Sequence, residues 1–109
     1  MTVASEVLSE VEALGVAVRP HGSLLEVRPK SRLTDDLMQK LRAHKPGVMA
    51  LVKVREALAD GLRLSALQIQ VATGLEYREL YAALGEFYDW YEVSTDLEGR
   101  YWLVDPPVN

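Results

Sequence analysis

The chain has no cysteine. Disulfides, thiol nucleophiles and cysteine-ligated zinc are excluded together. Histidine is nearly as scarce: His21 and His44 stand alone, with no second histidine or carboxylate at ligand spacing, so no metal site is expected. A glycine-rich phosphate loop is lacking. Ser5, Ser9 and Ser23 have no base beside them. Asp35 and Asp36 are adjacent, and neighbours in a helix do not face one another, so they are not paired catalytic acids. With no set of catalytic parts in view, neither an enzyme nor a bound cofactor is expected. No long run is free of charge, so no membrane partner is expected. Met1–Glu6 has no basic stretch leading into an apolar one; a signal peptide is not expected, and the expected location is cytoplasmic.

The first half also lacks aromatics. All eight (Tyr77, Tyr81, Phe87, Tyr88, Trp90, Tyr91, Tyr101, Trp102) lie beyond residue 76. Charge divides in the same way. Residues 1–59 carry nine Lys/Arg against seven Asp/Glu, a net of +2. Residues 60–109 carry three against nine, a net of −6. Two such regimes in 109 residues predict two very small modules, 1–60 and 61–109, the alternative being one domain with an unevenly built core. A chain this small with no covalent staple often gains stability by pairing with a copy of itself.

In the first module Val3, Val7, Leu8, Val11 and Leu14 recur at helical spacing. Thr2 can cap this helix and Gly15 can end it. Two alternating runs follow, Val16–Pro20 and Leu24–Pro29, around a Gly22-Ser23 turn. That turn pairs Ala17 with Arg28, Val18 with Val27, Arg19 with Glu26 and Pro20 with Leu25. Val16, Val18, Pro20, Leu25 and Val27 then share one face. Ala17, Arg19, His21, Leu24, Glu26 and Arg28 share the other, with Arg19 opposite Glu26 as a favourable pair. Thr34 caps a second helix, with Asp35 and Asp36 in its first turn and Lys40, Arg42, His44 and Lys45 near its end. Pro46 is expected to open a third, with Val48, Leu51, Val52 and Leu58 inward and Gly61 as its stop. A lone hairpin is not stable by itself and must lie on the helices. Its open edges can accept a strand from another chain.

Leu8, Leu14-Gly15-Val16, Val18, Gly22, Leu25, Val27, Pro29, Leu33-Thr34, Leu37, Leu41, His44-Lys45, Val48 and Leu51 together resemble the TubC-type N-terminal docking domain of nonribosomal peptide synthetases. The resemblance covers residues 1 to about 58. It implies a homodimer of helix–hairpin–helix–helix units, whose exposed hairpin binds the C-terminal tail of an upstream partner through basic side chains. Carried onto this chain, the peptide-binding candidates are Arg19, Leu24, Arg28, Lys30 and Arg32. In that family a synthetase follows the module. Here a short acidic, aromatic-rich segment follows instead, so the resemblance implies fold, pairing and tail binding but not peptide synthesis.

In the second module Leu62-Arg63-Leu64 reads as a very short strand. Ser65 caps a helix to Thr73 with Ala66, Ile69 and Ala72 inward, and Gly74 turns. A second helix runs from about Glu76 to Trp90, with Tyr77, Leu80, Leu84 and Phe87 on one stripe and Gly85 weakening it. Runs Tyr91–Asp96 and Arg100–Val104 flank a Leu97-Glu98-Gly99 turn. Gln68-Ile69-Gln70-Val71-Ala72-Thr73-Gly74-Leu75 resembles the turn of winged helix-turn-helix proteins, and Gly99-Arg100-Tyr101-Trp102-Leu103 resembles their wing. The third helix of the first module would serve as the first helix of that fold. Tyr77, Arg78, Tyr81 and Arg100 are its contact candidates.

The fold class expected is therefore α+β: a helix–hairpin–helix–helix docking module followed by a winged-helix-like helix-turn-helix with a C-terminal hairpin. The expected function is a homodimeric protein–protein interaction adaptor that docks an acidic peptide tail of a partner protein. The bland reading of its cations is a solvated face that blunts a sheet edge. The alternative function is a winged-helix DNA-binding regulator of a mobile element or small operon. Nucleic acid is the disfavoured partner, because a module at −6 with one cation on its reading helix repels phosphates.

Overall fold

The computed structural model describes residues 3–59, 63–89 and 93–103. Its fold is mixed α+β, with five α-helices and two small antiparallel sheets among the described residues. The chain divides into two compact units, Met1–Val52 and Lys53–Asn109. The division falls inside a helix, a few residues before the change in composition.

The first unit opens with α1 (Val3–Ala13). Ala4, Val7, Leu8 and Val11 are all buried, one apolar stripe at helical spacing. Gly15 follows at φ +79, a left-handed conformation that closes the helix and disfavours any side chain. Strands β1 (Ala17–His21) and β2 (Leu24–Arg28) form a two-stranded antiparallel hairpin. Its register pairs Ala17 with Arg28, Val18 with Val27, Arg19 with Glu26 and Pro20 with Leu25. This is the register that the alternation predicts. Gly22 starts the turn at φ +62. Val18 is buried, Leu25 and Val27 are half-buried, and Arg19 and Arg28 are exposed on the opposite face. A slip of one residue would exchange Val18 for Arg19, which is why one register is chosen.

A 3-10 turn at Lys30–Arg32 leads into α2 (Asp35–Ala43). The Thr34 hydroxyl accepts from the Leu37 N–H at 3.2 Å, satisfying one orphan donor of the first turn. Leu37 and Leu41 are buried, and α1 packs against both α2 and β1. Lys40 Nζ links the two helices, 3.8 Å from Glu10 and 3.3 Å from Asp36. Helix α3 (Lys45–Ala57) begins one residue before Pro46 and not at it. The reason is that the whole first turn lacks intrahelical acceptors for its N–H groups, so proline fits at its second position as well. Gly47 permits α3 to approach α1: a Cβ there would lie 2.7 Å from the Ala4 Cβ. Val48 and Leu51 are fully buried.

In the second unit Val54 and Leu58 are buried. The chain continues as β3 (Leu64–Ser65), α4 (Ala66–Thr73), α5 (Tyr77–Asp89), β4 (Val93–Thr95) and β5 (Arg100–Leu103). The sheet order is β3–β5–β4, both pairings antiparallel. Ser65 ends β3 and caps α4. Its hydroxyl accepts from Gln68 N–H at 3.2 Å, and the Gln68 side chain accepts from Ser65 N–H at 2.9 Å, a reciprocal cap. Gly74 ends α4 at φ +73. Ile69, Leu75, Leu80, Ala83, Leu84 and Val93 are buried.

Two residues expected to point inward are exposed. The buried arc of α4 runs through Ile69 with Ala66 and Thr73 half-buried beside it, and Ala72 falls outside that arc. Tyr77 sits at the edge of the α5 stripe and stacks outward on Tyr81, ring centroids 6.0 Å apart. The expectations that concern Thr2, Gly61, Leu62, Trp90, Tyr91 and Val104 lie outside the described residues, as do the side chains of Phe87 and Tyr88.

Candidate functional site

Hydrogen bonding fixes which hairpin edge is open to a partner. In a hairpin with a two-residue turn, the residues flanking the turn exchange hydrogen bonds, and hydrogen-bonded pairs then alternate with non-bonded ones. Here His21 and Leu24 flank the turn. The bonded pairs are therefore His21–Leu24, Arg19–Glu26 and Ala17–Arg28, and the outward groups belong to Val18, Pro20, Leu25 and Val27. Proline has no N–H, so Pro20 blunts the β1 edge. The β2 edge keeps the outward N–H and C=O groups of Leu25 and Val27. Neither strand has a second neighbour among the described residues.

The five peptide-binding candidates do not behave alike. Arg19 and Arg28 share the exposed face. Arg28 Nε lies 3.2 Å from Glu26 Oε1, so the partner of Glu26 is its strand neighbour and not Arg19 across the sheet. Arg19 has no ion pair among the described residues. Leu24 is 59% exposed at the tip of the hairpin. Lys30 stands at the far end of β2, in the 3-10 turn. Arg32 reaches back to the end of α1. Its Nη1 lies 2.6 Å from where a Gly15 Cβ would be, over the carbonyl end of α1, where the helix dipole favours a cation.

Sequence reasoning missed a groove beside Lys30. It has a volume of about 370 Å³ and is lined by Lys30, Leu33, Thr34, Asp35, Met38, Gln39 and Arg42. Leu33 and Met38 give it a half-buried apolar floor, with Lys30 and Arg42 exposed at its edge. The signal was present, since Met38 and Arg42 are four apart and so share a face of α2.

In the second unit Tyr77, Arg78 and Tyr81 are all exposed on α5. Tyr101 is half-buried, and burial first, then Tyr81 nearby, raises its phenol above the ordinary tyrosine value. Arg100 is not free. Its Nε and Nη2 each lie 3.0 Å from Asp96 Oδ2, and Nη2 lies 2.9 Å from Glu98. Arg63 lies 4.2 Å over the Trp102 ring and 3.9 Å from Asp96.

Asp96 thus organises the β4–β5 turn, a role that Asp three residues before a glycine could have signalled. Its Oδ1 accepts from the Glu98 and Arg100 N–H groups, both at 3.0 Å. The Arg100 backbone donor is the largest cause holding this carboxyl below its usual range, with the Glu98 N–H and the Arg100 charge adding to it. A carboxyl depressed in the folded state contributes stability above its unfolded value, near 4, and loses it as pH falls through the lower folded value. Asp96→Asn should therefore speed amide exchange at Glu98 and Arg100 at neutral pH. The difference from wild type should vanish once pH drops below the folded value, as read by hydrogen exchange along a pH series.

Among the described residues no group of His, Asp and Glu converges as a metal site, and no helix is long and apolar enough to cross a membrane. No protein-family model, curated protein or solved structure matches the chain.

Proposed function

We propose that this protein is a small protein–protein interaction adaptor. Its first unit pairs with a second copy and docks an extended, acidic segment of a partner protein along β2. The carrying observation is the unblocked β2 edge, with outward backbone groups at Leu25 and Val27 beside the exposed cations Arg28 and Lys30. A strand added there gains main-chain hydrogen bonds, and its acidic side chains gain the cations on the exposed face. The TubC-type resemblance of residues 1–58 supports the same reading. Catalysis has no part in it.

Titration of the full chain with acidic peptides tests the proposal. The double variant Arg19→Glu/Arg28→Glu should bind about ten-fold or more weakly, a loss of about 1.4 kcal/mol or more. Raised salt should weaken the wild type as well, since the charges are exposed. Equal affinity of the two proteins would remove the hairpin as the site.

A second reading draws on topology. The order β3–α4–α5–β4–β5, with β5 central, supports a winged-helix arrangement for the second unit. Its use on DNA has little electrostatic support. This unit carries five Lys/Arg against ten Asp/Glu, a net of −5. Arg100 at the wing is held by two carboxylates, which leaves Arg78 as the one cation of α5. A gel shift on random-sequence DNA at low salt separates the readings, and the adaptor reading predicts no shift.

A further inference from the structure

The groove beyond β2 combines an apolar floor with unengaged charge. Asp35, Met38, Gln39 and Arg42 follow one another at steps of three, one and three residues, which places them on one face of α2. Leu33 and Met38 are half-buried there, and Lys30 and Arg42 are exposed at the edge. Arg28 is taken by Glu26, and Lys40 by Glu10 and Asp36. Lys30 and Arg42 have no ion pair among the described residues. We propose that this groove anchors the docked partner segment: one bulky apolar side chain rests on Leu33 and Met38, and the carboxylate of an adjacent acidic residue pairs with Lys30 and Arg42. The assignment rests on the proposed docking along β2 and adds what that docking selects.

Place and size fit such an anchor. Val27 is the last residue of β2 with outward backbone groups, and Lys30 follows it three positions on. Three residues of chain span at most about 11 Å. A segment paired with Val27 therefore needs about three or four more residues to reach the groove. The volume of about 370 Å³ lies at the low end of small-ligand sites, which run from about 300 to 1,000 Å³. It suits one side chain better than a cofactor.

Charge selects the occupant. The lining holds two cations and one carboxylate, Asp35, a net of +1. One carboxylate balances that charge. A phosphate group brings about −1.5 to −2 and meets Asp35 as well. A second copy offers no match through its own first unit, which carries seven Lys/Arg against six Asp/Glu and is also at +1. The partner that fits is an acidic segment with a large apolar residue beside one of its acids.

The test uses a set of fluorescent acidic peptides, each about ten residues long, in which one leucine is moved through every position. Each has a counterpart with serine at that position, and all are titrated against the full chain by anisotropy. At least one leucine peptide should bind about ten-fold more tightly than its serine counterpart, the gain from burying most of one side chain. Met38→Ser should remove that preference. Arg42→Glu, an exposed change that should leave the circular dichroism spectrum unaltered, should weaken the preferred peptide about ten-fold. Arg19→Glu/Arg28→Glu should weaken leucine and serine peptides alike. Two results overturn the groove and leave docking on β2 standing: binding that depends on Arg19 and Arg28 with no leucine preference at any position, or a preferred peptide that Met38→Ser and Arg42→Glu both bind as the wild type does. No binding of any peptide overturns both. A dimer that Met38→Ser turns into a monomer, by light scattering, gives the groove to a second copy and overturns the partner anchor.

Discussion

Replacing Gly47 with leucine should unfold the first unit. A Cβ at this position would stand 2.7 Å from the Ala4 Cβ, and Ala4 is itself only 2% exposed. Both atoms sit at the start of a helix, so neither can swing aside as the end of a long side chain would. Overpacking a well-filled core typically costs about 1–3 kcal/mol. Leucine adds more than one carbon at a site that does not accept the first, and small domains have only about 5–15 kcal/mol in total. Urea titration followed by far-ultraviolet circular dichroism should show the loss. Gly85 supplies the contrast. It lies within α5, with no atom within 4 Å of the place a Cβ would take. Gly85→Ala should stabilise by about 0.5–1 kcal/mol through lost unfolded-state freedom. Opposite signs for Gly47→Ala and Gly85→Ala would show that close approach, and not helix propensity, decides at residue 47.

A second large effect belongs to Val18. It is 5% exposed, on the face of the hairpin opposite Arg19. Val18→Asp places a carboxylate at a buried position, and should cost about 3 kcal/mol or more. The hairpin should then leave the helices, and the proposed peptide binding should be lost with it. Arg19→Asp, one residue along, should leave the urea midpoint nearly unchanged, because exposed substitutions are usually within about 0.5 kcal/mol. Equal destabilisation by the two changes would contradict the assigned faces.

Much of this fold is legible from local pattern. The hairpin register follows from Gly22 and the alternation of Val16, Val18, Leu25 and Val27, because one slip would bury charge. Thr34 and Ser65 mark helix starts, since a hydroxyl before an apolar stripe has one good use there. What the pattern does not give is the choice between alternatives of similar local energy. Glu26 has two arginines within reach and takes Arg28. Arg32 groups with the hairpin cations by sequence, but its guanidinium covers Gly15, a contact set by tertiary approach. Arg100 is a wing candidate by position, and Asp96, which neutralises it, reads in the sequence as a turn residue before Gly99 but not as the partner of Arg100. Tyr77 points inward only on a stripe one residue too wide. In the candidate site, the cations are visible in the sequence, while the groove floored by Leu33 and Met38 requires the packed structure.

The central claim is that a partner segment adds to the β2 edge. Amide hydrogen exchange with and without a bound acidic peptide tests it most directly. The outward N–H groups of Leu25 and Val27 should become protected, while Val18 on the β1 edge should exchange as before. Binding that leaves Leu25 and Val27 unprotected would contradict strand addition at β2.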